Sequence, residues 1–330
     1  MHRKALNLIA ITMLSANLGS AENPNHPAVS LKHDAGAATI EVHIRGEHFT
    51  TYRYGDAHHV PFLWPVMSEG GVGVTRNHPM GEDDPAVTDH PHHLSLYLTY
   101  GALNEFDFWH AGRGKPGVIK TTRVETGDAG GFAWLRTHNH WIARKDDQIV
   151  MEETREIRFH DGPPSARYFD FITTFHATHG DITFGDTKEG MLAVRMRPEL
   201  DGERGGLLTN AHGEQGEKNV YGKPSPWMDY TGAAKGHGKR GIAIFDHPAN
   251  PHSAHWHVRD YGLAALNPFG ARSIANLPDG RHTLKNGDSF TLRYRVLVHS
   301  GSHEEAGVAT HFTRYAADPD VLKSTNPAKP

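Results

Sequence analysis

Three histidines, His90, His92 and His93, stand within four positions beside Asp89, with His78, Glu82, Asp83 and Asp84 just upstream. Imidazole titrates near neutral pH, so one of the three is a candidate proton donor or acceptor, and a second could polarise a hydroxyl or carbonyl oxygen. The same groups, Asp89, His90, His92 or His93 with His78, also suit a divalent metal. A third reading has these side chains pin their own loop by hydrogen bonds. Pro91 predicts an extended His90. In an extended chain His92 and His93 point to opposite sides, so at most one of them faces a given site. Asp107, between Phe106 and Phe108, is expected to point away from both and toward the same polar region, near Trp109 and His110.

Two later stretches carry chemistry of their own. Asp186, Lys188 and Glu189 fall in a short turn between apolar runs at 182–184 and 191–195. Glu189 there is a candidate base or acid, with Lys188 tuning its charge. The plain alternative is a hairpin with an exposed ion pair worth under about 1 kcal/mol. The second stretch holds Trp256, His257, Arg259, Asp260, Tyr261 and Asn267. Aromatic faces stack on the C–H side of a sugar, and Arg and Asn fork onto hydroxyl pairs. Strand alternation puts His257, Arg259 and Tyr261 on one face and Trp256 and Asp260 on the other. An ordinary cross-strand polar face is the competing reading. Trp227, with Asp229 and Tyr230, is either a lid over substrate or a loop anchor.

The elements that must position these groups read as strands. Period-two alternation or short apolar runs predict them at 38–45, 49–54, 94–98, 132–144, 148–159, 167–176, 182–184, 241–246, 254–258, 262–266, 282–284 and 290–299. Phe169, Phe171 and Phe175 share one core-facing side of the 167–176 strand. Residues 199–240, rich in Gly, Asn, Lys and Pro, are expected to be one long surface excursion. Only the tail reads as helical, with a Ser302/Glu305 capping box followed by Val308, Phe312 and Tyr315. The sum is an all-β fold: a large antiparallel two-sheet sandwich with long loops and a short C-terminal helix.

Composition narrows the functions. A net charge of −4 over 330 residues favours neither nucleic acid nor an anionic membrane. With 27 histidines, most must be surface or pocket residues rather than ligands. The chain has no cysteine, which excludes disulfides, thiolate nucleophiles and Cys-ligated metals. Residues 1–21 read as a secretory signal: His2, Arg3 and Lys4 lead an apolar core that ends in Gly19-Ser20-Ala21. A buried N-terminal helix is the alternative. The expected organisation is signal 1–21, polar lead-in 22–36, one β-sandwich domain 37–318 and polar tail 319–330, in a periplasmic or secreted protein. No membrane span is expected after the signal. A Gly-rich phosphate cradle, a G-x-S-x-G elbow and an H-E-x-x-H helix are all missing, so no nucleotide cofactor is expected and a divalent metal stays open.

Several motifs recur in one order: Arg76, DHPHH at 89–93, the 104–109 run ending in DFW, FGDTKEG at 184–190, IAIFDHP at 242–248 and WHVRDYGLAALNPFG at 256–270. Over roughly residues 50 to 300 the chain resembles a family of secreted bacterial proteins labelled PmoA-like. A methane-oxidising membrane subunit needs several apolar spans of about twenty residues, which this chain lacks after its signal, so the label's chemistry does not carry over. The resemblance implies the two-sheet supersandwich of galactose mutarotases and related sugar enzymes. It also implies Arg76 as a sugar-positioning residue. The resulting expectation is an exported carbohydrate-active enzyme, epimerase or mutarotase, lyase or glycoside hydrolase in type. His92 or His93, with His90, would face Glu189 across the sugar. Arg76, Asp107, Asp186, Lys188, Trp227, His257, Arg259 and Asn267 would hold it. A non-catalytic glycan binder and a metal enzyme built on the histidine loop are the alternatives.

Overall fold

The computed structural model describes residues 28–82 and 87–323. The signal reading, Asp83, Asp84 and residues 324–330 lie outside the described residues. Two large antiparallel sheets carry the fold. The first runs, in spatial order, Val29–Asp34, Thr39–Ile44, Glu47–Arg53, Phe62–Ser68, Leu96–Tyr100, Gly190–Arg195, Leu263–Asn267 and His255–Arg259. The second runs Leu207–Asn210, Trp227–Ala234, Gly238–Asp246, Ser289–Ser300, Ala166–His176, Gln148–His160, Phe132–Ala143 and Gly117–Asp128.

Alternation does the sorting between core and solvent. Thr39–Ile44 buries every second residue, because successive side chains leave a pleated strand on opposite sides. Phe169, Phe171 and Phe175 all enter the core, as their spacing predicts. Phe49 from the first sheet meets Phe159 and Phe169 from the second edge-on, at ring separations of 6.3 and 6.0 Å. Each such buried ring contributes about 1.5–3 kcal/mol. A second apolar cluster joins the Val308–Ala317 and Pro319–Leu322 helices to Trp227, Phe245 and Leu297 of the second sheet.

Several expectations change. The predicted lead-in contains a strand, Val29–Asp34, paired with Thr39–Ile44. The predicted tail begins with a helix that buries Val321. Ile182–Phe184 and Gly190–Arg195 are not a hairpin: the former pairs with His282–Leu284, the latter joins the first sheet. Residues 199–240 hold two strands of the second sheet rather than one excursion. Turn-forming composition hid them, because their flanks are rich in Gly and Pro. The Ser302/Glu305 reciprocal bonds do form, at 2.7 and 3.3 Å, but they close the turn before a helix that starts at Val308.

Buried ion pairs staple the second sheet. Arg295 grips Asp170 through Nε at 2.6 Å and Nη2 at 2.9 Å, and His160 Nε2 lies 2.7 Å from Asp170 Oδ2. Burial pushes the Asp170 carboxyl up, but the His160 and Arg295 bonds outweigh it and bring it down to about 2. A folded pKa below the unfolded one gives stability that is complete above the unfolded value and lost as pH falls through about 2. Asp170→Asn is expected to cost roughly 2–4 kcal/mol at pH 7 and to flatten the loss of stability between pH 5 and 2. Urea unfolding at both ends of that range measures it.

Candidate functional site

Distant segments meet because their strands are neighbours. Leu96–Tyr100 pairs with Gly190–Arg195, which pairs with Leu263–Asn267, which pairs with His255–Arg259. The histidine turn precedes the first of these, Lys188 and Glu189 precede the second, and His257 and Arg259 lie on the last. Their side chains surround one hollow of about 180 Å³, lined by His90, His92, His93, Trp109, His110, Arg113, Lys188, Glu189, His257, Arg259, Tyr261 and Leu263. His90, His92, His110 and Arg113 also wall an outer hollow of about 530 Å³. A cleft of that combined scale falls in the roughly 300–1,000 Å³ range of small-molecule sites.

The histidine turn is held from behind by two guanidiniums. Arg76 donates to the Asp89 carboxylate and carbonyl at 2.8 Å each, to His90 O at 2.9 Å and to His93 O at 3.3 Å. Arg195 donates to both Asp89 oxygens at 2.9 and 3.1 Å and packs 4.3 Å from the Tyr261 ring. Arg76 is wholly buried and outside the hollow, so it positions the turn and does not touch a ligand, contrary to expectation. His90 is not extended: its φ is +45, and its carbonyl accepts the His93 N–H at 2.9 Å. That tight turn overrides the preference set by Pro91. It also turns both His92 and His93 into the hollow, where an extended chain would have separated them.

Hydrogen bonds fix which ring nitrogen carries the proton. Arg195 Nη1, which only donates, sits 3.2 Å from His93 Nδ1, so His93 carries its proton on Nε2. His257 Nδ1 donates to the Lys188 carbonyl at 2.9 Å, leaving a lone pair on Nε2. His110 Nδ1 donates to Asp107 Oδ2 at 2.8 Å, while Asp107 Oδ1 accepts the Trp109 and His110 amides at 2.8 and 3.0 Å. His90 Nδ1 donates to Asp89 Oδ2 at 2.5 Å. Two carboxylate-oriented imidazoles thus flank His92, whose ring lies 5.7 Å from His90 and 4.6 Å from His110. Asp107 orients His110 rather than lining the hollow itself.

Burial and crowding by cations disfavour the charged form of His92, His93 and His257. Burial, then the His110, His90, His59 and Arg113 charges, push His92 down to about 3. Burial, then His92 and Arg195, hold His93 well below the ordinary imidazole range. Burial and Arg259 bring His257 to about 3. For Asp89, burial pushes up, but the His90 bond and the Arg195 and Arg76 charges hold the carboxyl below its ordinary value.

Glu189 is the carboxylate of the hollow. Thr187 Oγ1 donates to its Oε2 at 2.6 Å, and Lys188 Nζ lies 3.9 Å from Oε1. Gly101 makes room for it, and Gly190 lets the chain pass the Tyr100 ring beside it. A Cβ on Gly101 would stand 2.7 Å from Glu189 Cβ, and one on Gly190, at φ +154, would stand 2.4 Å from the Tyr100 ring.

Three expected ligand contacts have other work. Asp186 accepts the amides of Arg272, Ser273 and Gly280 at 2.7–2.8 Å, capping the Ala271–Ala275 helix. Asn267 is buried, donating to Thr187 O at 2.7 Å and accepting the Phe269 amide at 2.9 Å, so it shapes the Glu189 loop from beneath. Trp227 is a buried strand residue opposite Phe245, in the apolar cluster under the C-terminal helix, not a lid. Tyr230 likewise lies in that strand, its hydroxyl on the Arg259 carbonyl. Arg195 and Arg113 are the site residues that the sequence did not single out, and His110, placed in the polar region, was given no role there. An arginine ending the apolar run 191–194 was the available signal for Arg195.

Among the described residues no three His, Asp or Glu side chains are arranged to hold a metal ion. The metal reading of Asp89, His90, His92 and His78 meets a direct obstacle: Asp89 already faces two guanidiniums, and His78 is not in the lining.

An all-β, two-sheet protein with a polar, histidine-rich cleft at one sheet is the class that fold and site define. The chain belongs to DUF6807, a family of unknown function, whose model matches residues 39–313. That description does not carry the PmoA-like label. A protein assigned as an aldose 1-epimerase from Klebsiella pneumoniae subsp. pneumoniae MGH 78578 is 12% identical, with 88% of each chain covered and a TM-score of 0.39. The GalM/aldose epimerase homologue from C. elegans is 8% identical over 83% of this chain and 100% of that one, with a TM-score of 0.33. No curated protein matches the chain. Among the described residues no helix is long and apolar enough to cross a membrane.

Proposed function

We propose that the protein is an exported enzyme that transfers a proton at a sugar, with Glu189 as base and a carboxylate-oriented histidine, His110 first and His90 second, as its acid–base partner. The observation that carries this is the meeting of Glu189 with the Asp107–His110 and Asp89–His90 pairs around one hollow. A carboxylate on Nδ1 fixes the ring so that Nε2 is free to take and return a proton. His93, neutral and protonated on Nε2, suits a different role: donating to a substrate oxygen as charge develops on it, without giving up its proton. His257 offers an acceptor to a hydroxyl.

The lining favours a polyhydroxylated ligand. Among the described residues Leu263 is its one aliphatic residue, and the rest of the wall is directional donors, acceptors and ring edges. Epimerisation, elimination beside a carbonyl and glycoside cleavage all use an acid and a base across one ring. The signal-like character of residues 1–21 supports a periplasmic or extracellular setting for this chemistry.

The test is incubation with a panel of mono- and oligosaccharides in D2O, followed by NMR for products and for deuterium at ring carbons. Turnover or exchange is expected with the intact protein. It should fall about 10²-fold or more in His110→Ala. Binding with neither product nor exchange would make the cleft a glycan-binding site and remove the catalytic reading.

A further inference from the structure

We propose that the sugar taken by this hollow carries an anionic group, held by Lys188 and Arg113. The proposal rests on the sugar reading above and narrows its substrate class. Among the described residues, three cations, Arg113, Lys188 and Arg259, line the hollow against a single lining carboxylate, Glu189. Arg259 is satisfied, since its Nη1 donates to Glu217 Oε1 at 2.8 Å. Lys188 is held more loosely: its Nζ lies 3.9 Å from Glu189 Oε1, at the outer limit of an ion pair and beyond a hydrogen bond. Arg113 is exposed where the inner and outer hollows join, with no carboxylate paired to it among the described residues.

The charge behind the wall does not cancel this surplus. Asp89 is shared between two guanidiniums, Arg76 and Arg195. Asp107 is turned away onto His110 and two amides. Local surplus runs against the chain as a whole, whose net charge is −4. The imidazoles register the same field: Arg113 is among the charges lowering His92, and Arg259 and Lys188 among those lowering His257. A concave, partly enclosed site with more cations than carboxylates in its lining concentrates anions, and a charge-assisted bond to carboxylate or sulfate is stronger than one to a neutral hydroxyl.

Calorimetric titration of the full chain with matched ligands tests it: a hexuronate and its oligomers, a sugar sulfate ester, and the neutral parent sugar of each. The anionic member is expected to bind about tenfold or more tightly than its parent at low salt. That ratio should shrink as ionic strength rises. Lys188→Gln and Arg113→Gln should each cut the anionic-to-neutral ratio several-fold. The uronate and sulfate arms tell which anion is meant, and a preference for either supports the proposal. Equal binding of neutral and anionic partners, with unchanged ratios in both variants, would overturn it and leave the sugar reading standing. No binding of any sugar, charged or neutral, would remove both.

Discussion

Glu189→Gln is expected to lower turnover about 10²–10⁴-fold while leaving the fold intact. The amide keeps the size of the side chain, and its oxygen can still accept from Thr187 Oγ1, now 2.6 Å from Oε2. What disappears is the basic oxygen. Binding of an anionic sugar should hold or tighten, because a negative charge leaves the hollow. This split between binding and turnover is what distinguishes a proton-transfer group from a structural one. Steady-state kinetics on whichever sugar the panel identifies, beside calorimetric binding, measures both. Wild-type turnover in the variant would remove Glu189 from the chemistry.

Asp89→Ala is expected to destabilise the protein by about 3 kcal/mol, the low end for breaking a buried pair. The figure is set low because the Asp89 side chain is 39% exposed and partly screened, although its partners Arg76 and Arg195 are 0% and 1% exposed. Both guanidiniums would lose their carboxylate, and the turn from His90 to His93 its anchor. Activity should fall with stability, since His90 and His93 are both oriented through this clamp. Urea unfolding of the variant against the parent gives the number. A change under about 0.5 kcal/mol would mean that the clamp contributes little.

Much of the fold was legible because it follows local periodicity. Ile182–Phe184 and His282–Leu284 fall at their predicted bounds, and strand alternation brings His257 and Arg259 to the hollow, while Tyr261 reaches it from the turn after the strand. The meeting of the histidine stretch, Glu189 and Arg259 was also expected. What stayed hidden depends on partners far along the chain. Asp89 and Arg195 are separated by 106 positions and meet only because their strands are neighbours in the sheet. Nothing local to Arg76 shows that it would be consumed by backbone carbonyls. Asp186 looks like a site acid until the Ala271–Ala275 helix supplies amides for it. Trp227 looked like a loop aromatic because Gly and Pro around it masked a strand.

The ring orientations of His93 and His257 are set by Arg195 and by a peptide carbonyl, and neither group changes its charge across the neutral range. The cleft is therefore a stencil cut before its occupant arrives, with one ring that gives a hydrogen bond and one that receives it. A ligand that matches loses little entropy in ordering the wall. One with its hydroxyls reversed meets donor against donor, so mirror-related or epimeric sugars should be told apart on entry rather than during reaction.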